Sequence, residues 1–552
     1  MADNKSFARL IYICLIAFIL HSGESFQQRT IVIHRRSTSL SATREQYSTY
    51  LATCVPGLAH VLQREVEDLR SKLSDSDGIA DVTLSGNAAV TFEATREGSL
   101  YALCWLRSAH RLLELVATTD EVGNNAGGRS INDIDRDSLL YTRDDLHNFV
   151  RECVNVKDLL GDGKGGLLTL SVKAIMNNPR QLPKDLSHSH YTALSIKNSL
   201  CDIVRDMRGD RPDVDVDNPD LPLVAILRGM GDNRYDDGAA SLSIYKSLHP
   251  PGSLHKRGYR AGGAMHKAAM KESMAAGLLL EAGWKEKVEG VISLADKNQD
   301  VPLHTLKMTD PMAGSGSLVL EACMMATDIA PGLMRIRCGI PNHSNPPVIR
   351  WKPNNHEDVE SAWKTVLLDA TKRAKAGFKR MRENPSLIEI EGNDIHPRAV
   401  EIMETSLETA GLDRFVTLSN MDCYDLEGGK DPDDDNDESP SNREHFVYTN
   451  PPWGVRLTED IEESWEGLRH FVRDKCPNGT EVYVLSGDKT ATAALKLKRD
   501  RMIPIQTGDQ HLRWIQYTIG QKKKGNERRF ENGPKGGKSP KSKESEAEDS
   551  WV

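Results

Sequence analysis

Leu306-Lys-Met-Thr-Asp310-Pro-Met-Ala-Gly314-Ser-Gly316-Ser-Leu-Val-Leu-Glu-Ala322 opens as a short apolar strand, breaks at Asp-Pro into a glycine loop, and resumes as an apolar helix start. Glycine lets backbone N–H groups approach a ligand closely, and the head of the helix that follows favours an anionic group. A Gly-x-Gly by itself also serves loops that merely join a strand to a helix, so its meaning rests on the segments around it. From about Met270 to Gly520, short apolar strands alternate with helical runs, the pattern of an α/β sheet wound on both faces.

Two further strand tips carry acids. Leu387-Ile-Glu-Ile-Glu-Gly392-Asn-Asp394 ends in a carboxylate ahead of a predicted helix at Pro397–Ala410, and an acid there can accept both ribose hydroxyls of a nucleoside. Ser419-Asn-Met-Asp422-Cys-Tyr-Asp425 offers another, either beside the amine of an adenine or as a solvated turn acid. A nicotinamide dehydrogenase would set its ribose acid about 20 residues beyond the loop. Here Asp394 follows Asp310 by 84 residues, and Val319 occupies the third glycine position of Gly-x-Gly-x-x-Gly. Both observations disfavour a dehydrogenase.

His445-Phe-Val-Tyr-Thr-Asn450-Pro451-Pro452-Trp453-Gly454 is the most specific segment. Two successive prolines have no N–H to donate and hold the chain extended, leaving carbonyls available. The Asn450 side-chain oxygen and the Pro451 carbonyl can then accept from one planar amino group, while Trp453 stacks on the ring that bears it.

Upstream, two smaller lobes are predicted. Leu51-Ala-Thr-Cys-Val-Pro56-Gly-Leu-Ala-His followed by Val61–Leu69 reads as strand, turn and amphipathic helix. Ala80–Leu84 and Ala88–Phe92 flank the hairpin signal Ser85-Gly86-Asn87, and Ser99–Val116 reads as a helix with Leu103, Leu106, Leu113 and Val116 on one face. A second lobe, about 144–250, has strands expected at Leu167–Ala174, Leu221–Leu227 and Ala239–Tyr245 and a helix at His190–Met207. Lys246–Lys271 holds six Lys or Arg and no acid around Lys256-Arg257-Gly-Tyr259-Arg260, which suits phosphate contact or a merely solvated linker.

The 552 residues leave room for roughly three or four domains of about 100–200 residues. At 38% hydrophobic and 27% charged the chain can bury a core, and a net charge of −9 argues against a wholly basic nucleic-acid coat. Nine Cys with no Cys-x-x-Cys exclude a disulfide scaffold and the common zinc patterns. Asp- and Ser-rich 427–444 reads as a disordered insertion, and 521–552 as a loose tail.

Together these segments resemble class I S-adenosylmethionine-dependent methyltransferases acting on exocyclic amino groups of nucleic acid. More narrowly, Leu254-His-Lys-Arg-Gly-Tyr-Arg260, Lys271–Ala276 with Ala282-Gly-Trp284, the Asp310 loop, Gly392-Asn-Asp-Ile395-His-Pro-Arg-Ala-Val400 and Thr449-Asn-Pro-Pro-Trp-Gly-Val-Arg-Leu457 are similar, in order, to the bacterial 23S ribosomal RNA guanine-N2 methyltransferase family. The resemblance implies a Rossmann-like methyltransferase domain over 271–520, a basic linker over 251–270, a THUMP RNA-binding domain over 144–250 and a ferredoxin-like lobe over 47–143. It implies that S-adenosylmethionine is held by Asp310, Ala313, Gly314, Gly316, Asp394, Ile395 and Asp422. Asn450, Pro451, Pro452 and Trp453 would be catalytic, and ribosomal RNA would be bound by Lys256, Arg257, Tyr259 and Arg260, with no metal. The long segment between Gly316 and Asp394 is a family trait. Three positions depart from the family pattern: Ala313 stands for Cys, Ser317 for Thr and Trp453 for Tyr. Many bacterial relatives continue into a second methyltransferase domain that this sequence does not contain. Rival readings are a THUMP-containing transfer-RNA guanine-N2 methyltransferase, a DNA adenine-N6 methyltransferase and a non-catalytic ribosome assembly factor.

The first 45 residues read as an address. Lys5 and Arg9 precede an apolar block, Leu10–Leu20, too short to span a bilayer, and Gly23 and Ser25 form a small-x-small site before Phe26. Ser25–Arg44 then holds four Arg and no Asp or Glu, the composition of a transit peptide. A signal followed by a transit-like stretch resembles the bipartite plastid presequences of algae with complex plastids. The expectation is plastid import with no stable membrane association after processing; the secretory pathway and the cytoplasm are the rivals.

Overall fold

The computed structural model describes residues 47–73, 78–119, 139–162, 165–230, 238–260, 269–297, 304–351, 356–430, 442–453 and 461–520. The expected presequence, the tail from 521 and the middle of the acidic insertion lie outside the described residues.

Two seven-stranded sheets organise the chain. The first is built from β1 (Ser48–Thr53), β2 (Ile79–Leu84), β3 (Ala89–Ala94), β4 (Arg111–Thr118), β5 (Leu170–Asn177), β6 (Leu221–Gly229) and β7 (Ala240–Ser247), in the order β2-β3-β1-β4-β7-β6-β5. Every neighbouring pair is antiparallel except β5–β6. The Ser85-Gly86-Asn87 turn closes β2 onto β3, with Gly86 at φ +72°. The two upstream lobes are therefore not separate sheets: β4 of the first pairs along β7 of the second.

One upstream expectation fails. Ser99–Val116 is not one helix: a helix spans Arg96–Trp105, capped by Thr95 Oγ1 accepting from the Gly98 amide, and β4 follows. β4 lies mid-sheet with both faces covered. Leu112 belongs to the main core, while Leu113 packs in a small cluster with Leu51, Ala89 and Val224. A strand buried on both faces reads as a continuous apolar run, which periodicity cannot tell from a buried helix.

The second sheet comprises β8 (Thr305–Asp310), β9 (Ile388–Asn393), β10 (Thr417–Ser419), β11 (Arg443–Thr449), β12 (Glu481–Ser486), β13 (Arg501–Thr507) and β14 (Gln510–Thr518), ordered β10-β9-β8-β11-β12-β14-β13. The first five strands of that order are parallel, and β14 and β13 close the edge antiparallel. The helix Ser317–Ala326 is buried along its whole length, and Trp284 packs edge-on against Phe446 and Tyr448 of β11 while donating from Nε1 to the Ala322 carbonyl at 3.1 Å.

The two sheets are tied side chain to side chain. Buried Glu281 accepts from His60 and Arg64 of the helix Ala59–Lys72, and Arg501 of β13 reaches its other oxygen at 2.6 Å. Arg335 donates to the Leu103 carbonyl, and the Gln506 amide to the Pro56 carbonyl. No single helix among the described residues is long and apolar enough to cross a membrane.

Candidate functional site

The second sheet begins at its middle. From β8 the chain moves outward through β9 and β10, then returns to the other side of β8 as β11. Open α/β sheets bind ligands beyond the carboxyl ends of the strands at such a reversal. β8 and β11 are hydrogen-bonded neighbours, so the Asp310 loop and the Asn450 segment leave the sheet side by side.

Asp310 is buried at the tip of β8, and one carboxylate oxygen accepts from the Met312 amide at 3.2 Å. Burial pushes its carboxyl up to about 7, with the nearby Asp394 adding to the rise. Such a group favours a cation beside it. Gly314 and Gly316 both take positive φ, +55° and +78°. A Cβ on Gly314 would meet only open space, whereas one on Gly316 would strike Met403 at 2.5 Å. Gly314 thus leaves a cradle, and Gly316 lets the Pro397–Ala410 helix pack close.

Asp394, at the tip of β9, accepts from the Gly314 amide at 2.8 Å and the His396 amide at 2.9 Å, which fixes its carboxylate against the loop. Its neighbour Asn393, which the motif alone does not single out, carries much of the site's order. Asn393 is buried and donates from Nδ2 to the carbonyls of Pro311 and Met421, while its oxygen accepts from Ser419 Oγ and the Met421 amide. One side chain thus ties the tips of β8, β9 and β10. The signal in the sequence is an Asn inside Gly-Asn-Asp, whose amide has donors and acceptors enough to bridge. Ile395 and Met421 follow two of those tips as exposed apolar side chains. Asp422 caps its own short turn, accepting from the Tyr424 amide.

At β11 the extended Asn450-Pro-Pro-Trp segment is held from inside. Buried Trp465 donates from Nε1 to the Pro452 carbonyl at 2.8 Å, so that carbonyl secures the loop. Trp453 is half-buried, with its ring against Gly487, and its Nε1–H donates to Asn450 Oδ1 at 3.1 Å. The indole therefore folds onto the acceptor it was expected to assist. An amide oxygen has two lone pairs, so one direction remains for an incoming amine.

A profile of the RMKL-like methyltransferase domain matches residues 257–516, the span that contains all of these strand tips. An RlmL ferredoxin-like domain matches 49–113 and a THUMP domain 163–230, so the first sheet carries both. Among curated relatives, a ribosomal RNA large subunit methyltransferase K/L of Allochromatium vinosum is 31% identical over 60% of this chain and 38% of its own length. The protein so named in Desulfotalea psychrophila is 28% identical over 78% of this chain and 48% of its own. The chain thus spans under half the length of these relatives. A possible methylase from Clostridium difficile 630 has the same fold at a TM-score of 0.60 and 18% identity, covering 87% of this chain and 100% of that one. SMU.472, solved in complex with SAH, gives 0.59 and 19%, with the same coverage.

The RMKL-like domain is S-adenosylmethionine-dependent as a family, and the residues present suit that cofactor. Buried Asp310 forms no ion pair among the described residues, Asp394 has acceptor capacity at a ribose position, and Gly314 leaves room. Among the described residues, no three His, Cys, Asp or Glu side chains are disposed to hold a metal ion.

The domain's opening segment corrects the basic-patch expectation. Arg257 is fully buried: its Nε donates to Glu321, Nη1 to the Leu254 carbonyl and Nη2 to the Arg107 carbonyl. Tyr259 is buried too and donates to the same Glu321 oxygen. Neither can reach a phosphate. Arg260 is largely buried, donating to the Met270 carbonyl and Ser317 Oγ beside Glu272, so it braces the head of the helix after the glycine loop. Lys246 is paired with Glu114 and lies over the Trp351 ring. Of the four residues expected to bind RNA, only Lys256 is exposed. A cationic run shows its charge in sequence but not its burial; the acid that neutralises it, Glu321, is 64 residues away.

Proposed function

We propose that this chain methylates the exocyclic N2 of a guanosine in large-subunit ribosomal RNA. The observation that carries the reading is Asn450-Pro-Pro-Trp453 leaving β11 beside the Asp310 loop of β8; the names of the curated relatives support the substrate class. When bound, S-adenosylmethionine supplies an electrophilic methyl on a sulfonium. The guanine amine is a weak nucleophile because its lone pair is conjugated into the ring. Asn450 Oδ1 and the Pro451 carbonyl accept its two hydrogens and so direct the lone pair outward. The N–C bond forms as the C–S bond breaks, and the amine proton leaves to water. The chain's contribution is orientation and fixed dipoles, with no strong base before transfer. Asp310 and Asp394 hold the cofactor's cationic and ribose ends, and Trp453 supplies a ring face to the base. The THUMP and ferredoxin-like domains bring the RNA.

The testing experiment is single-turnover methyl transfer to ribosomal RNA, with nucleoside mapping of the product. N2-methylguanosine formed by the wild type and lost in Asn450→Ala supports the reading; methylation elsewhere, or none, overturns it. We also propose that residues 1–44 direct plastid import, on the strength of the apolar block and acid-free stretch; a fluorescent fusion of residues 1–60 that stays cytosolic would refute this.

A further inference from the structure

Thr371-Lys-Arg-Ala-Lys-Ala-Gly-Phe-Lys-Arg-Met-Arg382 holds six Lys or Arg in twelve residues and no acid. It forms the later half of the helix His356–Glu383. Ala370, Ala374, Gly377 and Met381 are its buried side, and a Cβ on Gly377 would strike the Thr327 carbonyl, so the helix is seated tightly. Thr327 ends the helix that starts at the glycine loop, which puts this contact at the end of the domain away from the strand tips. The seat fixes what faces out. Lys372, Lys375, Lys379 and Arg382 follow one another at steps of three or four, and all four are exposed. Helical neighbours at that spacing stand about 5–6 Å apart at Cβ, the scale of the step between phosphates on one nucleic-acid strand.

The charge on this face is not neutralised. Lys372, Lys375 and Arg382 form no ion pair among the described residues, and Lys379 has Glu383 at 3.7 Å. On one border Asp369 stands near Arg373, which Asp328 already holds. On the other, Arg337 lies over the Phe378 ring and Phe378 stacks on Phe415, behind exposed Asp413 and Arg414, which offset each other. Helix stability does not explain the stripe. Like charges at this spacing destabilise a helix, and its dipole favours cations only within the last turn. Lys372 and Lys375 stand about two to three turns before Glu383. Earlier in the same helix Glu360 pairs with Lys364 at 2.8 Å, the alternation that a merely solvated face would continue.

We propose that this face docks the phosphate backbone of ribosomal RNA outside the target nucleotide, an inference that rests on the RNA reading above. Arg257 and Arg260 are taken up inside the protein, so the electrostatic hold on RNA belongs to a surface elsewhere. A chain of net charge −9 needs such a local excess of cations to attract a polyanion. Phosphate contacts position an RNA without reading its sequence. The face therefore adds affinity and fixes the approach, while choice of base stays at Asn450.

The test is filter binding of a large-subunit ribosomal RNA transcript to the full chain over a range of salt. The combined change Lys372→Gln, Lys375→Gln, Lys379→Gln and Arg382→Gln keeps good helix formers. It should weaken binding about tenfold or more and flatten the log–log salt slope by about three to four. Thermal stability, S-adenosylmethionine affinity and single-turnover transfer at saturating RNA should match the wild type. The charge-keeping set Lys372→Arg, Lys375→Arg and Lys379→Arg should bind RNA as the wild type does. An unchanged slope in the Gln set, or an equal loss in the Arg set, overturns the proposal. In a second arm, vesicles of phosphatidylglycerol and phosphatidylcholine replace the RNA; vesicle binding lost in the Gln set, with its RNA slope unchanged, assigns the face to a membrane instead. Binding is read without methyl transfer. A wild type that makes no N2-methylguanosine while the Gln set flattens the slope thus overturns the substrate reading alone, and methylation with an unaltered slope overturns this face alone.

Discussion

Asn450 presents one oxygen to two claimants, the Trp453 indole it now accepts from and the amine it is proposed to accept from. Asn450→Ala removes that acceptor and should slow single-turnover transfer by about 10²–10³-fold, with thermal stability and cofactor affinity near wild type. Trp453→Phe keeps a ring face but frees Asn450 from the indole. It should change the transfer rate less than Asn450→Ala does, measured in the same assay. Asp310 makes a sharper prediction because its carboxyl is raised to about 7. A cationic cofactor favours the ionised form, so binding at pH 7 should release about half a proton per site. Calorimetric heats should then depend on buffer ionisation enthalpy at pH 7, cease to do so near pH 8.5, and show no such dependence in Asp310→Asn. The sign for stability is opposite to that of an ion-paired acid. A folded value above the unfolded one makes ionised Asp310 a destabilising charge above pH 7, relieved as pH falls toward 4, so Asp310→Asn should raise the melting temperature of the cofactor-free protein at pH 8. Asp310, Asp394 and Asn450 were legible as strand-tip residues, because a polar residue closing an apolar strand has a fixed place at the sheet's edge. Arg257 and Tyr259 were not, because nothing local tells a solvated cation from one paired across the fold.

The glycine loop joins strand to helix by two glycines that do different work. Gly316→Ala drives a Cβ into Met403 at a positive φ, so it should destabilise the fold by about 1–3 kcal/mol in chemical denaturation. Gly314→Ala meets open space, so it should cost only the backbone's share, about 1 kcal/mol, yet weaken cofactor binding disproportionately. Equal effects of the two changes on both readouts would contradict this division. At this scale the sequence was informative wherever one face of an element met water. The Pro397–Ala410 helix, the β2–β3 hairpin and the strands at Leu221 and Ala240 appear close to where their patterns put them. Segment 99–116 failed where both faces of β4 are covered, and no periodicity survives there to be read.

Glu281 is the point where three side chains of distant origin converge, His60 and Arg64 from the ferredoxin-like domain and Arg501 from β13. Burial alone would push its carboxyl up, but His60, Arg501 and Arg64 outweigh that and hold it below the ordinary value. This contribution is fully present above the unfolded value near 4.5 and is lost as pH falls through the lower folded one. Glu281→Gln should therefore lower the unfolding free energy measured by urea titration at pH 7, by about 1–3 kcal/mol given its half-exposed partners, and narrow the gap to wild type at pH 3. The union of the upstream lobes was invisible in sequence because alternation names a strand's faces and not its partner. That union has a consequence for synthesis. β4 ends at Thr118 and its partner β7 begins at Ala240. At about 5–20 residues per second, roughly 6–24 s separate their emergence from the ribosome. For that interval the nascent ferredoxin-like portion carries an open edge of backbone donors and acceptors that any passing strand could take up. A gene truncated after residue 143 should thus yield dimers or aggregates, while one extended through β7 yields monomers, and the growing chain has reason to be escorted by a chaperone until its own later strand arrives.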